Sequence, residues 1–464
     1  QEMFASACLS LQIPPMMTAG QIEALEHHAP EWIRDLYLPR LAGGAWTATM
    51  NLTEPEAGSD VGALRTRAEP RDDGTHAITG QKIYISWGDH DGADNVVHLV
   101  LARLPDAVPG AKGVSLFLVP KLIPRADGTP GEPNRVRPIG LEAKMGLHAS
   151  PTCVMEYDGA TGWLIGRPHG GLAAMFTMMN NARLGVGIQG VGVAEAALQK
   201  ALAWAAERRQ GRTADGSPTI SGHPDVRRML MTMAARTRVA RALCYDCAQA
   251  IDMAKAAPEA DRPAHAARAA VLTPIAKAFG TDAGCEVADM GIQVHGGMGY
   301  VEDTGAARLL RDVRVTAIYE GTNGIQAMDL VGRKLSADAG SAVRALIDEA
   351  AETAHAARGA HPDLAEALEE AVTRAHEATH WMLGADLAGR GGGAVPYLRM
   401  MALTLGAHHL TRAAMAGGEE RVALARFHAA HLLPEALGCG RAAMAGGDAL
   451  FALDAEGLAA LGPA

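Results

Sequence analysis

The pattern of apolar positions changes character three times along this chain of 464 residues. Residues 17–43 carry them at helical spacing, through Gln21-Ile22-Glu23-Ala24-Leu25 and Trp32-Ile33-Arg34-Asp35-Leu36-Tyr37-Leu38. From about Gly44 to Gly170 short, branched-rich runs take over. Segments 77–86, 96–101 and 114–119 predict strands separated by Gly, Pro and Asp, as in an antiparallel sandwich or barrel. Arg125 to Arg135, rich in Gly, Pro and Asp, predicts a loop. From Leu172 the helical period returns, and Leu184, Ile188, Val191, Ala194, Leu198, Leu202 and Ala205 give a long helix one apolar face. Pro224 and Pro274 stand where helices start. Beyond Leu335 an Ala-rich helical tail follows, with Val343, Leu346, Ile347 and Ala350 on one face and a break at Gly389–Gly393. The expected fold is mostly α with a central antiparallel β-domain. Its parts are a helical remnant over 1–43, a β-domain over 44–170, a helical bundle over 171–335 and a C-terminal helical extension over 336–464.

Composition narrows the function. Lys+Arg 42 against Asp+Glu 52 leaves a net charge of -10, which gives no general attraction to nucleic acid or anionic membrane. Aromatic residues make up 4%, too few for base-stacking platforms. The six cysteines lack a disulfide-scaffold spacing, which favours a reducing cytoplasm. No apolar run reaches the roughly 18 residues of a membrane span. The chain opens on Gln1 in a sequence that already reads as mid-domain, so it is expected to be part of a longer protein.

The densest chemical signal is Ala317-Ile318-Tyr319-Glu320-Gly321-Thr322-Asn323-Gly324. Ile318 and Tyr319 offer a low-dielectric wall that raises a carboxylate pKa, and Gly321 lets a ligand approach the backbone. Glu320 therefore suits a general base that removes a carbon-bound proton beside a carbonyl. Read alone, a helix-terminal Glu in ordinary packing is the better account of it. Upstream, Leu52-Thr53-Glu54-Pro55-Glu56-Ala57-Gly58-Ser59-Asp60 leaves a strand with backbone N–H groups and hydroxyls available, or forms a polar turn. Three other signals carry less. Gly185-Val186-Gly187-Ile188-Gln189-Gly190 matches G-x-G-x-x-G but lies in a helical register, where small residues serve close packing. Cys244-Tyr245-Asp246-Cys247 lacks a second ligand pair, and His27-His28 and His408-His409 lack the i, i+4 spacing of metal ligands, so no metal is expected. Gly389–Gly393 has no Lys-Ser/Thr of a phosphate loop and reads as a linker.

Taken together, Ile318-Tyr319-Glu320-Gly321-Thr322 and the Leu52–Asp60 segment resemble the acyl-CoA dehydrogenase family. The likeness spans residues 1 to about 335, and residues 319–335 resemble its C-terminally extended branch. It implies FAD, with contacts from Thr53, Gly58, Ser59, Tyr84, Ser86 and Thr322. Glu207-Arg208-Arg209-Gln210 and Gln293-Val294-His295-Gly296-Gly297 resemble segments that reach the FAD of a neighbouring subunit through Arg208, Gln293, Gly296 and Gly297. Ser59, Arg183 and Gly321 are implied at the acyl-CoA, with Glu320 taking the α-proton. The implied reaction is α,β-dehydrogenation of an acyl-CoA, either 3-methylmercaptopropionyl-CoA or a fatty acyl-CoA, in a cytoplasmic homo-oligomer. Electrons would pass to electron-transfer flavoprotein. An acyl-CoA oxidase, or a DNA-binding flavoprotein of the same fold, are the alternatives. The family's N-terminal helical domain, which covers part of the acyl pocket, is mostly absent from residues 1–43.

Overall fold

The computed structural model describes residues 1–462, apart from the side chains at positions 180 and 181. It divides into two compact units, one of Gln1 with residues 3–185, the other of Glu2 with the chain from Val186 onward.

The first unit opens with helices α1 (Glu2–Ala7), α2 (Leu9–His28) and α3 (Glu31–Ala42). Strands β1 (Trp46–Asn51), β2 (Arg67–Pro70), β3 (His76–Ser86), β4 (Asn95–Arg103) and β5 (Val114–Pro120) follow. The set is completed by β6 (Leu122–Pro124), β7 (Pro130–Pro133), β8 (Val136–Leu141) and β9 (Thr152–Ile165). Pairings β4–β2, β2–β3, β3–β9, β9–β5 and β5–β4 close on themselves into a barrel, on which β1 and β8 each pair with a single strand, β4 and β9 respectively. The antiparallel expectation holds for most pairs, but β1 runs parallel to β4 over Trp46–Asn51, which makes the sheet mixed. Alternation drives closure: Ile78, Ile85, Val100, Phe117, Val119 and Tyr157 turn inward into one buried core. The predicted loop at 125–135 contains a small hairpin instead, because β6 and β7 pair across Leu122 and Pro133.

The second unit is helical. Helix α4 (Gly171–Glu207) leads into it, followed by α5 (Pro224–Ala256), α6 (Arg262–His295), α7 (Gly297–Tyr300) and α8 (Ala306–Val313). Then come α9 (Asn323–Asp329), α10 (Leu335–Ala337), α11 (Ser341–Ala357), α12 (Pro362–Gly384), α13 (Leu387–Met415), α14 (Glu419–His431), α15 (Pro434–Ala443) and α16 (Ala455–Ala459). Pro224 does begin α5, whereas Pro274 sits inside α6, where burial of Val271, Leu272, Ile275 and Phe279 outweighs one lost backbone hydrogen bond.

Gly389–Gly393 is no linker. It forms the first turns of α13, which Asp386 caps by accepting from Gly389 N at 2.7 Å. A side chain on Gly393 would lie 2.2 Å from the Ala443 carbonyl, so contact with α15 requires a residue without Cβ. Gly187 and Gly190 on α4 serve the same end against α6, where a Cβ would come within 2.8 Å of Ala276 O and 2.1 Å of Gly280 O. The helical reading of that glycine pattern holds, although Leu202, expected on the apolar face, is exposed. Val343, Leu346, Ile347 and Ala350 are all buried.

Candidate functional site

In the first unit the site is built on the loop that leaves β1. Glu54 accepts from Arg65 N (2.6 Å), Thr66 N (3.1 Å) and Thr66 Oγ1 (2.6 Å), and Lys82 Nζ on β3 reaches it at 2.8 Å. Lys82 Nζ also donates to the Leu52 carbonyl at 3.0 Å, and Ile83 N donates to the Thr53 carbonyl at 3.0 Å. These bonds fasten Thr53 to the strand that carries Tyr84 and Ser86. Burial pushes the Lys82 ammonium down to about 8 despite the pull of Glu54. Burial alone would raise Glu54, but Lys82 and the 65–66 donors hold it below the usual carboxylate range.

The β3–β9 register shifts between Lys82 and Ile85, and Tyr84 takes a left-handed φ of 61° there. Its side chain is turned out of the barrel, leaving it 60% exposed. Gly58 and Ser59 are also exposed, and a Cβ on Gly58 would meet nothing within 4 Å. Ser86 is half-buried at the strand end, and Arg183 is buried in α4.

In the second unit, Glu320 follows a short 3₁₀ turn (Arg314–Ala317) and has φ 55°, with Gly321 at φ 83°. Two consecutive left-handed residues reverse the chain before α9, which Thr322 caps by accepting from Ile325 N at 3.2 Å. Lys277 on α6 donates to the Gly321 carbonyl and to Asn323 Oδ1, each at 2.9 Å. Gln326 Nε2 donates to the Glu320 carbonyl at 3.2 Å. The Tyr319 hydroxyl donates to Gln189 Oε1 on α4. Burial raises the Tyr319 phenol well above its ordinary value, and the neighbouring Glu320 charge adds to that shift. Oε2 of Glu320 is shielded from solvent. Ile318, expected as part of the apolar wall, is 52% exposed. It borders a cavity of about 490 Å³ that Asp282, Glu286, Arg314, Thr322, Gly324 and Arg399 also line. Burial raises the Asp282 carboxyl although Asn323 Nδ2 donates to it at 2.7 Å.

Arg208, Gln293, Gly296 and Gly297 gather at another place in this unit. Trp204 stacks on His295 with ring centroids 5.1 Å apart, which sets the end of α4 beside the end of α6. All four residues are exposed, and Cβ atoms on Gly296 and Gly297 would meet nothing within 4 Å. Eighteen residues of α6 separate Lys277, beneath the Glu320 turn, from His295, a rise of about 27 Å. Within one chain the Glu320 turn and the Arg208 end therefore occupy distant positions along the same helix.

Sequence reasoning missed Lys277, Gln326 and Arg399. Arg399 belongs to the extension, yet it lines the cavity beside the Glu320 turn and joins an alternating ring of charges. Glu286 Oε1 lies 2.8 Å from Arg399 Nη1, Glu435 Oε1 lies 2.5 Å from Arg399 Nε, and Arg236 contacts both carboxylates. The only sequence signal was an arginine in the apolar run Val395-Pro396-Tyr397-Leu398 to Met400.

The weaker motifs resolve as packing. Cys244 and Cys247 are buried and reduced, and burial pushes the Cys247 thiol up to about 11. His409 pairs with Asp246 at 3.3 Å, and His28 with Thr177 at 3.0 Å. Among the described residues no group of His, Cys, Asp and Glu could hold a metal, and no helix is long and apolar enough to cross a membrane.

Three family models match the chain in the order of this architecture. They are the acyl-CoA dehydrogenase middle domain over residues 49–160, the acyl-CoA dehydrogenase C-terminal domain over 169–336, and an acetyl-CoA dehydrogenase C-terminal-like domain over 343–454. The acyl-CoA dehydrogenase of Bacillus subtilis is 35% identical over 296 residues, covering 63% of this chain and 69% of that protein. The chain belongs to the acyl-CoA dehydrogenase family. Within it, 3-methylmercaptopropionyl-CoA dehydrogenase of Ruegeria pomeroyi is 48% identical over 356 residues, or 76% of this chain. The chain spans 60% of that relative's length. An acyl-CoA dehydrogenase from Bacillus anthracis, solved in complex with FAD, shares the fold with a TM-score of 0.68. That match covers 90% of this chain and 75% of the other at 22% identity.

Proposed function

We propose that this protein performs FAD-dependent α,β-dehydrogenation of an acyl-CoA thioester, with Glu320 as the base. The observation that carries the reading is the Glu320–Gly321 turn, a partly shielded carboxylate on a left-handed backbone beside a cavity. Strain of this kind persists where surrounding structure imposes it, and such places cluster at reacting groups. Glu320 takes the proton on the α-carbon, and Gly321, next to it in the turn, is a proposed contact of the thioester. Ser59 and Arg183 complete the contacts proposed for acyl-CoA.

The residues present fit a flavin dinucleotide. Tyr84 offers an exposed aromatic face, Thr53, Ser59, Ser86 and Thr322 offer hydroxyls, and Gly58 leaves a backbone open to close approach. Arg208 suits a pyrophosphate, and Gln293, Gly296 and Gly297 give a second open segment. When bound, FAD supplies the acceptor for the hydride that leaves the β-carbon. The distance along α6 favours Arg208 and Gln293 serving the cofactor of a second copy, hence a homo-oligomer. The 48% identity to a 3-methylmercaptopropionyl-CoA dehydrogenase favours a short thioether-bearing acyl group, with fatty acyl-CoA as the second choice. Electron-transfer flavoprotein is the proposed acceptor and the cytoplasm the proposed location.

The test is anaerobic flavin bleaching by a panel of acyl-CoAs that includes 3-methylmercaptopropionyl-CoA. Bleaching by at least one thioester is expected, and none across the panel would overturn the reading. Stoichiometric peroxide on admitting air would identify an oxidase instead.

A further inference from the structure

Lys277 lies in the middle of α6 and is fully buried, in a stretch where Ile275, Ala276, Ala278 and Phe279 are buried too. An ammonium in such surroundings forfeits its hydration and is kept only where specific acceptors replace water. Its acceptors here include the Gly321 carbonyl and Asn323 Oδ1, each at 2.9 Å. Asn323 is itself fixed through its Nδ2 to Asp282 Oδ1 at 2.7 Å. Gln326, also fully buried, donates to the Glu320 carbonyl at 3.2 Å and to the Gly321 carbonyl at 3.3 Å. Both carbonyls of the left-handed pair are thus captured by buried side chains from α6 and α9.

A left-handed backbone is unfavourable for any residue with a Cβ, and Glu320 has one. Gly321 gives the turn no slack, since a Cβ there would lie 2.8 Å from Gln326 Nε2. We propose that Lys277 is the positioning residue of the Glu320 turn: its ammonium pins the Gly321 carbonyl and so fixes the direction in which the Glu320 carboxylate leaves the backbone. The inference rests on Glu320 being the base. Without the ammonium, the Gly321 carbonyl loses its charged partner and the Glu320 backbone can relax toward negative φ. The carboxylate then swings away from the reacting carbon, and small displacements of that kind are expensive in rate.

The experiment compares the full-length holoprotein with Lys277→Met and Lys277→Gln. Met removes charge and donor together, whereas Gln keeps an amide donor at nearly the same reach. Hydrogen exchange by mass spectrometry on peptides spanning 319–326 is measured beside anaerobic flavin reduction and acyl-CoA binding. The expected result for Lys277→Met is exchange at least about tenfold faster in that segment alone. Its flavin reduction should slow at least about tenfold, with flavin content and acyl-CoA affinity within twofold of the parent. Lys277→Gln should recover part of both effects. Unchanged exchange and rate in a folded Lys277→Met would overturn the proposal. So would faster exchange throughout α6, or failure of both variants to fold, since either assigns Lys277 to core stability. If no acyl-CoA bleaches the parent, the functional reading falls while the exchange result still reports on the turn.

Discussion

Glu54 and Lys82 form an ion pair of 2.8 Å in which neither side chain is more than 8% exposed. At pH 7 the Lys82 ammonium, though lowered to about 8, is still charged. Lys82→Met would leave Glu54 as an uncompensated buried charge at the root of the 52–60 loop. The expected loss is ~3–5 kcal/mol in denaturant unfolding, while Glu54→Leu combined with Lys82→Met should recover only part of it, because Thr66 N and Oγ1 lose their buried acceptor. Flavin retention should fall with the single variant, because Thr53 and Tyr84 are joined through the same clamp. A loss in the double variant equal to the sum of the losses in Lys82→Met and Glu54→Leu alone would show that the pair is not coupled.

Glu320→Gln preserves shape but cannot accept a proton. The variant is expected to fold, stay yellow and bind acyl-CoA, with flavin reduction slowed at least ~10²-fold. Glu320→Asp should keep part of the rate, since the carboxylate is one methylene short. Anaerobic single-turnover mixing measures both, and near-normal reduction by the Gln variant would place the base elsewhere.

Arg208 is exposed beside Gln293 and the Gly296–Gly297 pair. Arg208→Glu reverses the charge offered to a pyrophosphate, so flavin should be lost on dilution or gel filtration while the helices keep their stability. Full FAD occupancy in a strictly monomeric preparation would contradict a cofactor shared between copies.

Acid sensitivity should come partly from His428 on α14. Burial holds its imidazole down to about 4 from the usual 6.5, with Arg236 and Glu435 nearby. Between those two values the unfolded chain binds a proton that the folded chain refuses, so stability falls as pH drops. The contribution approaches ~3 kcal/mol at pH 4. His428→Phe should flatten the dependence of the unfolding midpoint between pH 6.5 and 4, and an unchanged slope would assign the sensitivity to other groups.

Much of this was legible before any coordinates. The runs at 77–86, 96–101 and 114–119 announced β3, β4 and β5 because alternation and branched side chains mark strands directly. The order of motifs around Glu320 announced the family. The Gly389–Gly393 helix was not legible, since glycine's intrinsic preference opposes helix, whereas the close approach of α15 at Gly393 that calls for glycine there is set by tertiary packing. Lys277 was hidden for a related reason: a lysine in an alanine-rich helix reads as solvated until the packing shows that no water reaches it. Arg399 was hidden by distance, its carboxylate partners being 113 residues before it at Glu286 and 36 after it at Glu435.

The length of α6 between the Glu320 turn and the Arg208 end has a genetic consequence. If each cofactor takes its base from one copy and its pyrophosphate arginine from another, two dead proteins can make a live one. Glu320→Gln subunits mixed with Arg208→Glu subunits, dissociated and reassembled together, would generate one class of site with both residues intact. Activity would reappear in a mixture whose parents have none, and it would vanish if both substitutions were carried on the same chain.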